Sequence, residues 1–308
     1  MRKTCLDCIH DLARTDPRIF FVGSDLGAGT LGKFREEMPD RFFMEGISEQ
    51  HVVGMAAGLA LEGKIPYVNT IATFLTRRCL DQVALDLCLQ KAKVRLVANG
   101  GGLVYAPLGP THQALEDIAL MRALPGMAVL VPADARELAA LMPQTVDWPG
   151  PLYIRLAKGY DPVVTPEGHA PQIGRAWLER PGRDALVACT GTCLGQAREA
   201  ADLLAREGRQ VAVLHLPTVK PFDLEAFLDA AAPVPVVVSI EEHSVIGGLG
   251  SAVAEALAEA CFPAAKRFKR LGIPDVFPHN YGSQNQLKDL YGISSANLAA
   301  ALRELWNA

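Results

Sequence analysis

Residues 44–61, MEGISEQHVVGMAAGLAL, are the stretch whose reading decides the fold. Just ahead of it, Arg41-Phe-Phe-Met reads as a short β-run, and Gly46-Ile-Ser48 reads as a turn. Ser48 is the candidate N-cap of a helix that starts at Glu49, and Gly63 stands just past its end. Gly54, Ala56, Ala57, Gly58 and Ala60 keep this helix thin, so a second backbone can come close, from the same chain or from a neighbouring one. Glu49 lies in its first turn. The helix N-terminus favours the ionised carboxylate, and burial favours the protonated acid. A carboxyl group held between those two effects can share a proton with a ring nitrogen. The local pattern alone favours the plainer role, a solvated glutamate serving the helix dipole.

Outward from this stretch, apolar runs and amphipathic helices alternate. Ile19–Gly23, Pro66–Thr70, Val94–Ala98, Ala128–Val131 and Leu152–Arg155 read as buried strands. Gln50–Leu61, Leu75–Gln90, His112–Ala123 and Ala135–Val146 read as the helices between them. A second series runs from Ala185–Cys189 through Leu194–Glu207, Val211–His215, Leu224–Ala231, Val234–Ile240 and Leu249–Ala260 to Arg267–Leu271. This pattern predicts an α/β protein of two doubly wound domains with mostly parallel sheets. The expected boundaries are 1–160, a proline-rich linker at 161–175, and 176–308.

The chain has 308 residues, half of them hydrophobic, and a net charge of only −4. That balance lacks the clustered basic excess of a nucleic-acid surface. No apolar run reaches the length of a membrane span. Asp7 and Asp11 interrupt the N-terminal region where a signal peptide needs apolar residues. Seven scattered cysteines fit a reducing cytoplasm. Cys5 and Cys8 share a helix face with Ile9 and Leu12 and read as structural, as do Cys189 and Cys193.

Two glycine clusters invite other readings. Gly27-Ala-Gly-Thr-Leu-Gly32 matches the dinucleotide fingerprint and follows a strand, with Glu45 near the distance of a ribose-binding acid. The helix after it has room only from Lys33 to Met38 before Pro39, which is short for a crossover helix. As a P-loop the cluster fails because Phe34 stands where a Ser or Thr should hold magnesium. Gly247-Gly-Leu-Gly250 reads as a packing turn, with space for an anion at the following helix N-terminus. Glu241-Glu242-His243 reads as a surface cluster at a strand end rather than a metal site.

Gly46-Ile-Ser-Glu-Gln-His51 with Ala57-Gly-Leu-Ala60 resembles the pyrimidine-binding domain of thiamine-diphosphate enzymes of the transketolase superfamily. The resemblance extends over most of the chain, and implies that fold followed by a transketolase C-terminal domain. It implies that Glu49 hydrogen-bonds the ring nitrogen opposite the amino group, favouring the imino tautomer that helps deprotonate the thiazolium carbon. Thr73-Phe-Leu-Thr-Arg-Arg78 resembles the slot for the pyrimidine. There Phe74 matches the first ring-contacting aromatic, and Arg77 stands where a guanidinium plane can stack on a ring. Leu80 replaces a third aromatic. Ser24-Asp25-Leu26 resembles the segment that passes near the cofactor, which makes Asp25 a candidate contact. In Gly109-Pro-Thr-His-Gln113, His112 faces the thiazolium on this resemblance and moves protons or holds substrate oxygens, with Gln113 among the substrate contacts. Arg155 and Arg2 match anion-binding arginines.

The departures point to an atypical donor or acceptor, such as a modified or nucleotide-linked sugar or a small aldehyde. Leu108 replaces an aspartate that reads a sugar hydroxyl, and Gly100 replaces a histidine on the phosphate side. Gly27-Ala-Gly29 offers no counterpart to a serine. The chain lacks the Gly-Asp-Gly motif that serves magnesium and diphosphate in the family. The expectation is therefore one section of a split transketolase. Its partner, the N-terminal section, would hold the magnesium and diphosphate of thiamine diphosphate, and two copies of each would form an α2β2 assembly acting on sugars. The beta chain of a 2-oxo acid dehydrogenase and a deoxyxylulose-phosphate-synthase-like enzyme are the near alternatives. An NAD-dependent dehydrogenase using Gly27–Gly32 and a non-catalytic scaffold subunit are the distant ones.

Overall fold

The computed structural model describes residues 1–24, 31–157 and 161–307. Its first sheet holds β1 (Ile19–Gly23), β2 (Phe42–Met44), β3 (Ile65–Ile71), β4 (Arg95–Asn99), β5 (Ala128–Leu130) and β6 (Leu152–Leu156). These strands are parallel where they pair, in the order β5-β6-β4-β3-β1-β2. Continuous apolar runs suit them because helices cover both faces. The first helix, α1 (Arg2–Thr15), precedes β1, and the short α2 (Gly32–Glu37) stands between β1 and β2. One face of the sheet packs on α3 (Glu49–Leu61) and on α4 (Ala72–Thr76), with Val52, Val53, Ala56 and Leu75 in its core. The other packs on α1 and α7 (Ala135–Val146) through Leu6, Ile9, Leu138 and Leu141. Cys5 sits in that second core as a buried free thiol.

The second sheet is built from β7 (Trp177–Arg180), β8 (Ala185–Cys189), β9 (Val211–His215), β11 (Val236–Ser244) and β12 (Arg267–Ile273), in the order β12-β11-β8-β9-β7. Its edge strand β7 runs antiparallel to β9 and lies outside the strands that the apolar runs predict. So does β10 (Thr218–Lys220), which leaves the second series and pairs antiparallel with β5 of the first sheet. Residues 161–176 contain no helix or strand.

Two predicted helices differ. Leu75–Gln90 is broken: α4 stops at Thr76, and α5 (Leu80–Gln82) restarts and runs on as a π-helix over Val83–Leu89. His112–Ala123 is helical only in α6 (Asp117–Ala123). The cause is long-range. Gly102 and Ala114 exchange backbone hydrogen bonds of 2.8 and 3.1 Å, which commits Ala114 to a bridge and keeps His112 in a turn.

Candidate active site

Glu49, Phe74, Gly100 and His112 all follow the C-terminal ends of parallel strands, the side on which such sheets bind ligands. Glu49 opens α3 and is 3 % exposed. Ser48 precedes it as the N-cap residue, but its hydroxyl donates to the Glu45 carbonyl rather than capping the helix. The Glu49 carboxylate is instead paired with the last residue of the slot segment, to which the sequence assigns no role: Arg78 Nη1 lies 2.5 Å from Oε2. The same guanidinium covers the Phe74 ring, 4.3 Å from its centroid. Phe74 in turn meets the His112 imidazole edge-on, with centroids 5.3 Å apart. Acid, guanidinium, aromatic ring and imidazole thus form one contiguous row.

Arg78, not Arg77, is the guanidinium that lies on the Phe74 ring. Arg77 turns to the segment carrying His112. Its Nε lies 2.6 Å from Thr73 Oγ1 and 2.7 Å from Glu116 Oε1, and Nη2 donates to the carbonyls of Pro110 and Gln113. It braces the turn that presents the imidazole. Thr111 Oγ1 stands 2.9 Å from His112 Nδ1 and holds the ring from its other side. Cys79 lies behind the row. Burial and then the Glu49 charge push its thiol up to about 12, so it stays a protonated packing group at neutral pH.

Arg155 is drawn into the interior rather than held out towards an anion. Its Nε and Nη2 bond Asp117 at 2.7 and 3.1 Å, and Nη2 also reaches the carbonyls of Ala114 and Glu242. Burial pushes the Asp117 carboxyl up. The Arg155 and His243 charges and the Tyr153 hydroxyl more than reverse this and leave it below the usual carboxylate range. Arg2 stands near Tyr105, whose hydroxyl is raised by burial and eased down by the Arg2 charge. Gln113 is 1 % exposed, and neither atom of its side-chain amide has a partner. Asp25 and Gly27–Thr30 lie outside the described residues.

Glu241, Glu242 and His243 are buried, not a surface cluster. The Glu241 carboxylate accepts from Leu249 N and Gly250 N, so it fills the helix N-terminus that the glycine turn had suggested for an outside anion. Glu242 Oε1 accepts from Leu103 N at 2.7 Å and from Gln284 Nε2, and Lys288 Nζ stands 3.6 Å from Oε2. The second sheet therefore anchors the 101–116 segment that carries His112. No group of three metal-ligating side chains comes together among the described residues.

The fold and the row define a two-sheet α/β protein with an acid-and-aromatic site above the first sheet. Comparison with known proteins carries this to a family. A family model described as transketolase, pyrimidine-binding domain matches residues 1–160, and one described as transketolase, C-terminal domain matches 174–298. The chain is 38 % identical over 306 residues to the 6-deoxy-6-sulfo-D-fructose transketolase subunit SqwH of a Clostridium species, covering 99 % of this chain and 94 % of that one. It is 36 % identical over 307 residues to an apulose-4-phosphate transketolase subunit of Phocaeicola vulgatus, covering 98 % and 96 %. A solved structure described as split gene transketolase, inactive beta4 tetramer superposes with a TM-score of 0.90 at 35 % identity, over 99 % of this chain and 97 % of that one. The chain belongs to the transketolase family.

Proposed function

We propose that this chain is the C-terminal subunit of a two-subunit, thiamine-diphosphate-dependent enzyme that moves a two-carbon ketol unit between sugar-type substrates. One observation carries the reading: a buried carboxylate at the start of α3, bonded to a guanidinium that lies on the Phe74 ring. That pairing fits the aminopyrimidine end of the cofactor, which needs an acid at a ring nitrogen and an aromatic wall. Bound thiamine diphosphate supplies an acidic thiazolium carbon on which bonds next to a carbonyl are broken and remade.

The chain's own residues do the rest. Glu49 exchanges a proton with the ring nitrogen through Oε1, while Arg78 holds Oε2 and fixes the carboxylate plane. Phe74 supplies the apolar wall. His112, held by Thr111 and by the turn that Arg77 braces, gives and takes protons at the substrate oxygens. Gln113 and Arg2 remain proposed substrate contacts, and Asp25 a proposed cofactor contact. Arg155 acts on substrate only through the turn it holds.

The magnesium and diphosphate ligands belong, on this reading, to a complementary subunit in an α2β2 assembly, with residues 1–160 and 176–308 as domains joined by 161–175. Two relatives of nearly the same length are subunits, which supports it. So does the outer face of α3. Cβ atoms at Gly54 and Gly58 would meet nothing within 4 Å, and Leu61 beside them is 65 % exposed. Leu108 and Gly100 favour a substrate other than an ordinary pentose phosphate, and a cytoplasmic setting suits the seven free cysteines.

Reconstitution tests the proposal. The purified chain with magnesium and thiamine diphosphate should show no ketol transfer, and adding a complementary subunit should restore it. Full turnover by the isolated chain would refute the two-subunit reading. Normal efficiency on pentose phosphates would refute the atypical substrate.

A further inference from the structure

A pocket of about 430 Å³ lies where α6 meets β10 and the Gly247 turn. Ala119, Ala123 and Phe222 give it apolar walls. Among the described residues, the only charged side chains lining it are Arg122 and Lys220, both positive. Arg122 is paired with Glu255. Lys220 is held by main-chain groups instead: its Nζ donates to the carbonyls of Arg122, at 2.8 Å, and Leu124.

Those two bonds bear on the state of the amine. An ammonium carries three N–H donors, and a neutral amine carries two beside a lone pair. The two carbonyls use both donors of the neutral amine and leave its lone pair free. The ammonium would hold a third N–H that no group among the described residues accepts. Burial holds the ammonium below the ordinary lysine value; the Cys88 thiol opposes this, and the Arg122 charge adds to it. Desolvation and a neighbouring cation are two means by which proteins turn a lysine into a nucleophile. Capping the end of α6 accounts for the two hydrogen bonds, but not for an open pocket beside them.

We infer that Lys220 is a modification site, a nucleophilic amine that takes an acyl group from a small acyl phosphate. The donor class follows from the pocket: its charges attract an anion, and its walls accept a short acyl chain. The nitrogen lone pair bonds to the acyl carbon, and the bond from that carbon to the phosphate oxygen breaks. Phosphate leaves with the electron pair, and the amine gives up one proton to solvent. The resulting amide has one N–H where the amine used two, so one carbonyl at the end of α6 loses its donor. Helix α6 starts at Asp117, the partner of Arg155, so acylation loosens the far end of the helix that fixes Arg155.

Acetyl phosphate tests this on the full chain at about pH 8, where ordinary lysines are almost wholly protonated. Peptide mapping by mass spectrometry should find Lys220 acetylated at least about tenfold faster than the exposed Lys33 and Lys93. Excess inorganic phosphate should slow the reaction at Lys220 and leave the other two unchanged. In concentrated urea Lys220 should fall to their rate. A folded chain in which Lys220 reacts no faster than Lys33 and Lys93 would overturn the proposal. So would a preference that survives in urea, since local sequence would then be its cause. Equal rates at Lys220 with and without phosphate would show that the pocket holds no anionic donor, and would overturn it too.

Discussion

At the residue scale, the site turns on which of two adjacent arginines meets the ring. Helix α4 ends at Thr76, so the phase that would aim Arg77 or Arg78 is set by how the chain leaves the helix. Periodicity carries no information there, which is why the contacts of Arg78 are hidden in the sequence, whereas Glu49, Phe74 and His112 stand out as motif positions that the fold brings side by side. The division of labour is testable. Glu49→Gln should lower ketol transfer in the assembled enzyme about 10²- to 10⁴-fold, the usual weight of a positioned acid or base, with assembly by sedimentation unchanged. Arg77→Met should lower kcat roughly tenfold to a hundredfold with little change in KM, since it loosens a turn rather than removing a substrate contact. Arg77→Lys should not restore the rate, because one ammonium cannot reproduce a forked set of partners. Equal losses in kcat and substrate affinity would instead place Arg77 on the substrate.

At the element scale, the segment after β4 explains both a misread helix and a glycine run. Gly100, Gly101 and Gly102 each have a side chain lying against the α-carbon: Tyr105, Arg155 and Glu242 in turn. Gly100 and Gly102 also have φ of +75° and +71°, where a Cβ is strained. The sequence shows the three glycines but not the three distant side chains that require them, nor the bridge to Ala114 that stops a helix starting at His112. Gly100→Ala should lower the melting midpoint by about 5–10 °C, from strain of roughly 1–3 kcal/mol together with displacement of the Tyr105 ring. Adding Tyr105→Ala should recover only part of this, since space returns and the backbone strain stays. Complete recovery would show that backbone conformation contributes nothing.

At the scale of the whole molecule, the two sheets are joined by charges that look like surface in the sequence. Strand β11 runs past Ile240 as far as Ser244, and that extension carries Glu241, Glu242 and His243 inward. The βα alternation predicts two sheets, but alternation cannot say which polar strand ends face each other. The Asp117–Arg155 pair there predicts acid sensitivity. With the folded carboxyl held below its ordinary value, its stabilisation is fully present above the unfolded value of 3.8 and is lost as pH falls through the folded one. Acid unfolding should therefore steepen below pH 3.8, and Asp117→Asn should flatten that slope. Arg155→Met should cost about 3–5 kcal/mol in denaturant unfolding, the penalty for stranding a buried charge. An unchanged acid profile in Asp117→Asn would assign the sensitivity elsewhere.

The small strand β10 reaches beyond its own half of the chain. By running along β5 it closes a flank that would otherwise present unsatisfied amides to any passing strand. A gene rearrangement that separated the halves near residue 160 would strip that guard and invite the orphaned half to stack on itself. Swapping the second half for a relative's would succeed only if the newcomer carried a matching three-residue patch in the same register. The two halves thus share one sheet edge, and each leaves the other with a bare flank when it is removed.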